Sequence, residues 1–493
     1  MTQKRQRNLQ SEMEETMPKP REIYLLDPSQ LSQEVIAVAF AKTSRSPESF
    51  REIAAGLTDA SSAQFHERWV VGYGHASVAE HAVLHLAFEN VSRLAIEAIE
   101  SSRLASYTEK STRYQVFERD GYYTPEAIAR SPHADRYHRT LAMLFDTYSA
   151  SIEPVRVYVA SQFPRKADED EKKHEARIRS KTIDNCRFLL PTATLANVGV
   201  TANARVLEHA LVKMLSHPLQ EVREIGEATK RVAQAEAPTL VKYAQPSEYL
   251  EKIARSACRL HAERADSRSL ASNLPSPLSL VDYDGEAEER FVAACLYRQG
   301  GTDYVTALQR AQMMSGAELE HAVHDALTGM GDFDIPLREL EHITMTFDCV
   351  LDWGAWYELK RHRMMTLTPQ PLDVRLGYAV PRVFEEARFA ARYRQAMEET
   401  AETFLALAAD LHEAAYIFPN AFNRRVLVTL NLREAFHFCR LRSAPNAHFS
   451  MRRIATRMYE LICEIYPAFA RYMRCADTPT SAQLTREFFA SIQ

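Results

Sequence analysis

The alternation of apolar and polar positions divides this chain into short strand-like runs and long helical ones. HAVLHLAF, from His81, and HITMTF, from His342, alternate like half-buried strands. LREAFHFCRLRSAPNAHFSMRRIATRMYELICEIY, from Leu432, instead repeats its apolar residues at helical spacing. VLDWGAWYELK, from Val350, carries one glycine and no stronger breaker, whereas Pro369 and Pro371 cannot continue a helix. Arg361, His362 and Arg363 are therefore expected near a helix C-terminus. RKADEDEKKHEARIRSK, residues 165–181, mixes both charge signs and reads as a solvated helix face or loop. The pattern predicts a helix-rich α+β protein with small mixed or antiparallel sheets.

The most polar interruption, residues 267–290, divides the chain nearly in half, and matching blocks flank it. EVIAVAFAKTS, from Glu34, pairs with ERFVAACLYRQ, from Glu289. AEHAVLHLAF, containing Glu80 and His81, pairs with LEHITMTF, containing Glu341 and His342; a basic residue, Arg103 or Arg363, follows each about 22 residues later. In the most specific pair, a proline is followed after eleven residues by Asn-x-Arg: Pro191, Asn203 and Arg205, then Pro419, Asn431 and Arg433. The expected organisation is a polar tail (1–22), a first domain (23–250), a linker (251–285) and a second domain (286–493) of the same kind.

Composition narrows the partners. A 493-residue chain that is 46% hydrophobic can bury sizeable cores, and its formal charge of -5 argues against nucleic acid, leaving small anions. The first 20 residues hold no apolar signal core, and no run of about 18 apolar residues occurs, so no membrane partner and a cytoplasmic location are expected. The seven scattered cysteines form no C-x-x-C pair and are expected to be reduced, with no metal site.

Candidate chemistry lies in the cationic blocks. Charges in a last helical turn complement the helix dipole, which is the plain account of Arg361, His362 and Arg363. Adjacent helical residues point about 100° apart, so the run also suits an anionic ligand met from several directions. In the first half Ser101 and Ser102 stand beside Arg103, followed by Glu109, Ser111 and Arg113, which would share one face of an extended segment. An ordinary exposed strand edge would carry the same spacing. Asn203, Arg205, Asn431 and Arg433 are expected within apolar helical stretches, where their polar side chains need partners, each other or a ligand. Arg187 and Arg442 are further anion donors or surface arginines.

Together these blocks resemble the flavin-dependent thymidylate synthases, whose signature is Arg-His-Arg, seven residues, then Ser. GHASVAEH matches the family's G-H-x-x-x-x-E-H segment at Gly74, His75, Glu80 and His81, and seven residues separate Arg103 from Ser111. The second half keeps Arg-His-Arg but has Pro371 at the serine position. Arg187 is matched by Ala415 and Arg442 by Met214, and the usual glutamine three residues before the signature is Ala98 or Glu358. The losses are nearly complementary.

The resemblance implies two tandem thymidylate synthase-like domains that assemble sites across copies, in a homodimer mimicking the family's tetramer. It implies FAD on His75, His81, Arg103, Arg361, His362, Arg363, Asn203, Arg205, Asn431 and Arg433, and dUMP on Glu109, Ser111, Arg113, Arg187 and Arg442. Arg113 and Arg442 would bind and orient, with no certain catalytic residue and no nucleophilic cysteine. Methylenetetrahydrofolate and NADPH would be co-substrate and reductant in forming dTMP. A non-catalytic flavin- or nucleotide-binding paralogue, or the same chemistry on another pyrimidine nucleotide, is the alternative.

Overall fold

The computed structural model describes residues 22–72, 76–253, 256, 277–409, 411–475 and 478–492. The first copy runs α1 (Gln33–Thr43), β1 (Val83–Ser92), α2 (Arg93–Ile99), β2 (Ser106–Glu109), α3 (Ala134–Gln162), α4 (Glu171–Cys186), β3 (Leu195–Asn203), α5 (Ala204–Leu215) and α6 (Gln220–Glu236). After β4 (Leu278–Tyr283), the second runs α7 (Ala287–Gln299), β5 (Thr344–Asp352), α8 (Trp353–Leu359), β6 (Thr366–Pro369), β7 (Ala379–Pro381), α9 (Ala390–Ala408), β8 (Asn423–Asn431), α10 (Leu432–Ser443), α11 (Phe449–Ile465) and β9 (Phe489–Ile492). Further helices, among them Tyr304–Gln312 and Gly316–Leu327, and shorter helical turns connect these elements.

Matching elements form for matching reasons. Alternation carries β1 to Ser92 and β5 to Asp352, and each of those side chains then caps the next helix, accepting from the Ala95 or Ala355 amide. The sheets have the same order, β1-β3-β2 and β5-β8-β6, with β4 added beside β5 and a separate β7-β9 pair. Register repeats too: Ser106 faces Thr201 across β2 and β3, as Thr366 faces Thr429 across β6 and β8.

By contact density the chain forms two compact units. One comprises the described residues within 22–84, 202–209 and 228–244, the other those within 85–201, 210–227 and 245–492. In the smaller unit the Glu34 carboxylate accepts from the Thr239 and Leu240 amides, and Ala39, Ile53 and Ala54 form an apolar core. The larger unit contains β2, β5, β6 and β8 whole, with α2 to α4 and α8 to α11.

Within the larger unit the copies meet about a pseudo-twofold axis. The repeated prolines Pro191 and Pro419 face each other as an antiparallel bridge. Thr192 donates to the Phe418 carbonyl and Asn420 to that of Leu190; Ala193 donates to Tyr416 and Ala421 to Phe188. Glu100 and Lys360, also equivalent, pair at 2.8 Å with side chains 7% and 8% exposed. The duplication read from the sequence is thus a duplication of fold.

Two expectations need correction. The proposed connector is partly ordered: Leu278 is buried, and residues 278–283 pair antiparallel with β5 to extend the sheet as β4, while residues 257–276 lie outside the described residues. The Asn-x-Arg pairs do not sit inside helices but at strand-to-helix junctions, where each asparagine caps a helix. Asn203 accepts from the Val206 amide and Asn431 from that of Glu434, and the arginines turn instead to Glu80 and Glu341.

Candidate active site

The helix α8 delivers Glu358 into the larger unit, and its C-terminal turn releases Arg361, His362 and Arg363 in different directions. Glu358 is 7% exposed and accepts at 3.0 Å from Arg442 of α10, with Arg113 of the first copy 3.8 Å away. Asp184, on α4, fixes Arg113 by a two-pronged hydrogen bond at 2.7 and 2.9 Å. Burial works against charge on Arg113, but Asp184 and Glu358 outweigh it and hold its pKa above the usual arginine range.

Arg187 completes the cluster. Its side chain bonds Thr112, adjacent to Arg113, at 3.4 Å and the Gly354 carbonyl of α8 at 3.3 Å. It is 3% exposed, forms no ion pair among the described residues, and leaves Nε without a partner. Burial lowers its pKa, with Asp184 and Glu358 acting in the opposite direction. A buried guanidinium with an unused donor is an incomplete anion site, because a missing hydrogen bond at a buried charged group costs about 1–3 kcal/mol or more.

His362, 5% exposed, extends the network. Its Nδ1 lies 2.9 Å from Glu434, and Arg442 Nε donates to its Nε2 at 2.9 Å. Nε2 must therefore accept, placing the proton of a neutral ring on Nδ1. Burial lowers the imidazole pKa, Glu434 opposing and Arg442 reinforcing the shift.

Glu109 lies elsewhere than its spacing suggested. The strand stops at Glu109 and the chain turns at residues 112–114, so Glu109, Ser111 and Arg113 do not form one extended face. Glu109 pairs with buried Arg93 at 3.0 Å and approaches Arg361 at 3.6 Å. The Ser111 hydroxyl accepts from the Arg113 amide and shapes that turn. Arg103 and Arg363 cross the axis to carbonyls of the other copy, Met365 for the first, Arg103 and Ala105 for the second.

A cleft of about 740 Å³ opens beside this network, lined by Asn431, Arg433, His437, Leu441, Met364 and Phe333. In the smaller unit the His81 ring lies tilted against that of Phe40, centroids 4.8 Å apart, beside a cleft of about 720 Å³. His75 lies outside the described residues. Thus the structure gathers Arg113, Arg187, Arg361, His362 and Arg442 in one place, with Glu109 reaching in through Arg361. His81, Asn203 and Arg205 belong to the other unit.

Sequence reasoning missed Asp184, Arg93 and Glu434, whose partners lie 71, 16 and 72 residues away. A lone acid on a mixed-charge helix carries no signal for that pairing. Glu358 was visible only as a missing glutamine.

Two copies of one fold, with a cationic site built at their junction, define a tandem protein of the flavin-dependent thymidylate synthase class. The chain belongs to the Thy1 family, thymidylate synthase complementing protein, whose model matches residues 25–239 and again residues 279–468. A UPF0159 protein of Chlamydia muridarum is 30% identical over 436 residues, covering 84% of this chain and 81% of that one. The UPF0159 protein Ta1429 of Thermoplasma acidophilum is 28% identical over 458 residues, covering 85% and 89%. The flavin-dependent thymidylate synthase of Clostridium tetani is 27% identical over 226 residues, covering 46% of this chain but 87% of its own. Among the described residues no helix is long and apolar enough to cross a membrane.

Proposed function

We propose that this chain carries out FAD-dependent reductive methylation of dUMP to dTMP, with methylenetetrahydrofolate as carbon donor and NADPH as reductant. The observation that carries the reading is the convergence of Arg113 and Arg187 from one copy with Arg442 from the other around Glu358. The motif losses are complementary because each copy supplies what the other lacks. Arg113, Arg187 and Arg442 hold the nucleotide phosphate and stabilise negative charge on the pyrimidine ring. Ser111 serves binding, and His362, kept neutral, orients Arg442.

The 740 Å³ cleft falls within the roughly 300–1,000 Å³ usual for small-molecule sites and combines apolar walls with Arg433 and Arg440, as an anionic flavin requires. Asn431 and Arg433 would hold FAD there, whereas Arg361, His362 and Arg363, expected on the flavin, line the two smaller clefts at the junction of the copies instead. Bound FAD supplies the hydride, so the protein needs no cysteine nucleophile. Two chains would associate to restore the family's tetramer-like arrangement.

Glu358 favours a second reading, the same chemistry on another pyrimidine. A carboxylate only accepts, so it prefers a ring edge bearing an amine to the carbonyl of uracil. Absorbance of the purified protein tests for flavin, and titration with dUMP and dCMP, followed by chromatography of the products, separates the readings. Colourless protein indifferent to both nucleotides would remove the enzyme proposal.

A further inference from the structure

The pseudo-twofold axis generates a counterpart of the arginine cluster, where Ala98 stands for Glu358, Ser101 for Arg361, Met214 for Arg442, Pro369 for Glu109 and Ala415 for Arg187. In the cluster, long charged side chains close on one another. At the counterpart they are replaced by shorter or uncharged ones, and a cleft of about 530 Å³ remains, about twice the roughly 260 Å³ of the cleft bounded by Glu109 and Arg361. Its walls come from both copies: Met214 and Leu219 from one, Trp356 and Met365 from the other.

The charges around this cleft are unbalanced. Its acids are already engaged, Glu97 by Arg424 at 2.7 Å and Glu100 by Lys360 at 2.8 Å. Its cations Arg103, Lys213 and Arg363 have no carboxylate partner among the described residues; Arg103 and Arg363 meet only neutral oxygens, and Lys213 is exposed. His217 adds a donor. Its Nδ1 accepts from the Leu219 amide at 3.2 Å, so the proton of the neutral ring sits on Nε2, which has no partner among the described residues. Burial lowers the His217 pKa to about 4, keeping the ring neutral near pH 7.

We propose that this cleft is a second, non-catalytic site for a pyrimidine nucleoside monophosphate, with the base against the Trp356–Met214 wall and the phosphate at Arg103, Lys213 and Arg363. The identity of the nucleotide rests on the function proposed above; the geometry of the cleft does not. An apolar wall with a cationic rim fits an aromatic anion, and the volume is in the small-molecule range. The cleft has no counterpart of the buried arginines to stabilise charge on the ring, so a bound nucleotide stays unreacted. It would act as an effector through α8, whose Trp356 lines the cleft one turn before Lys360 and whose Glu358 joins the arginine cluster.

Equilibrium dialysis of the full-length protein with dTMP tests this. Two molecules should bind per chain. Met214→Trp, which fills the cleft, should leave one, and Lys213→Glu should weaken one class of site about tenfold or more. Lys213 is exposed, so its replacement does not threaten folding. Arg442→Ala should remove the other molecule. A single molecule per chain, unaffected by Met214→Trp and Lys213→Glu, overturns the second site. Loss of one molecule on cleft substitution with none on Arg442→Ala upholds it while rejecting the arginine cluster as the nucleotide site.

Discussion

Replacing Glu358 by glutamine should weaken the fold without ligand and tighten the grip on anions. The carboxylate lies 3.0 Å from Arg442 and 3.8 Å from Arg113. At an effective dielectric of about 20, these separations correspond to roughly 5 and 4 kcal/mol of gross attraction. Desolvation offsets much of that, and breaking such a pair costs about 3–5 kcal/mol when fully buried. The arginine side chains are 15% and 20% exposed and Arg113 keeps Asp184, so about 3 kcal/mol is expected, at the lower end. Thermal unfolding followed by circular dichroism should show a midpoint several degrees lower. Saturating dUMP should reverse the loss, since a ligand at about 100 times its Kd contributes about 2.7 kcal/mol. Without a carboxylate to displace, the variant should bind dUMP about tenfold more tightly, a gain of about 1.4 kcal/mol. An unchanged midpoint together with an unchanged Kd would refute the reasoning that Glu358 neutralises Arg113 and Arg442 and competes with a bound anion for them.

Other substitutions probe the remaining links. Arg433→Ala should release flavin at least about tenfold more readily, as measured by flavin fluorescence in the filtrate. Arg113→Ala and Arg442→Ala, from different copies, should each abolish the nucleotide response of the flavin spectrum and show a coupling of about 0.5 kcal/mol or more in a double-mutant cycle. His217 contributes stability that is complete above its unfolded pKa near 6.5 and is lost as pH falls to about 4, up to about 3 kcal/mol; His217→Gln should flatten urea midpoints across that window. A Cβ at Gly354 would meet Asp352 Oδ1 at 3.1 Å and Arg187 Nη2 at 3.5 Å, so Gly354→Ala should cost about 1–3 kcal/mol of stability in urea unfolding.

Local pattern determined much of this protein from sequence alone. Alternation marked β1 and β5, helical spacing marked α10 and α11, and the repeated Pro-x11-Asn-x-Arg block carried the duplication, because each depends on residues close in the chain. The losses at Arg187 and Ala415, and at Arg442 and Met214, are complementary only in the light of the family resemblance, which implied sites assembled from both halves. What sequence could not convey was which charges meet. Glu109 faced Arg93 rather than a shared strand face, Asn203 and Asn431 became helix caps, and Asp184 took Arg113 from 71 residues away. Only the tertiary structure decided these, since desolvation obliges buried charges to find partners wherever packing brings them, whatever their separation along the chain.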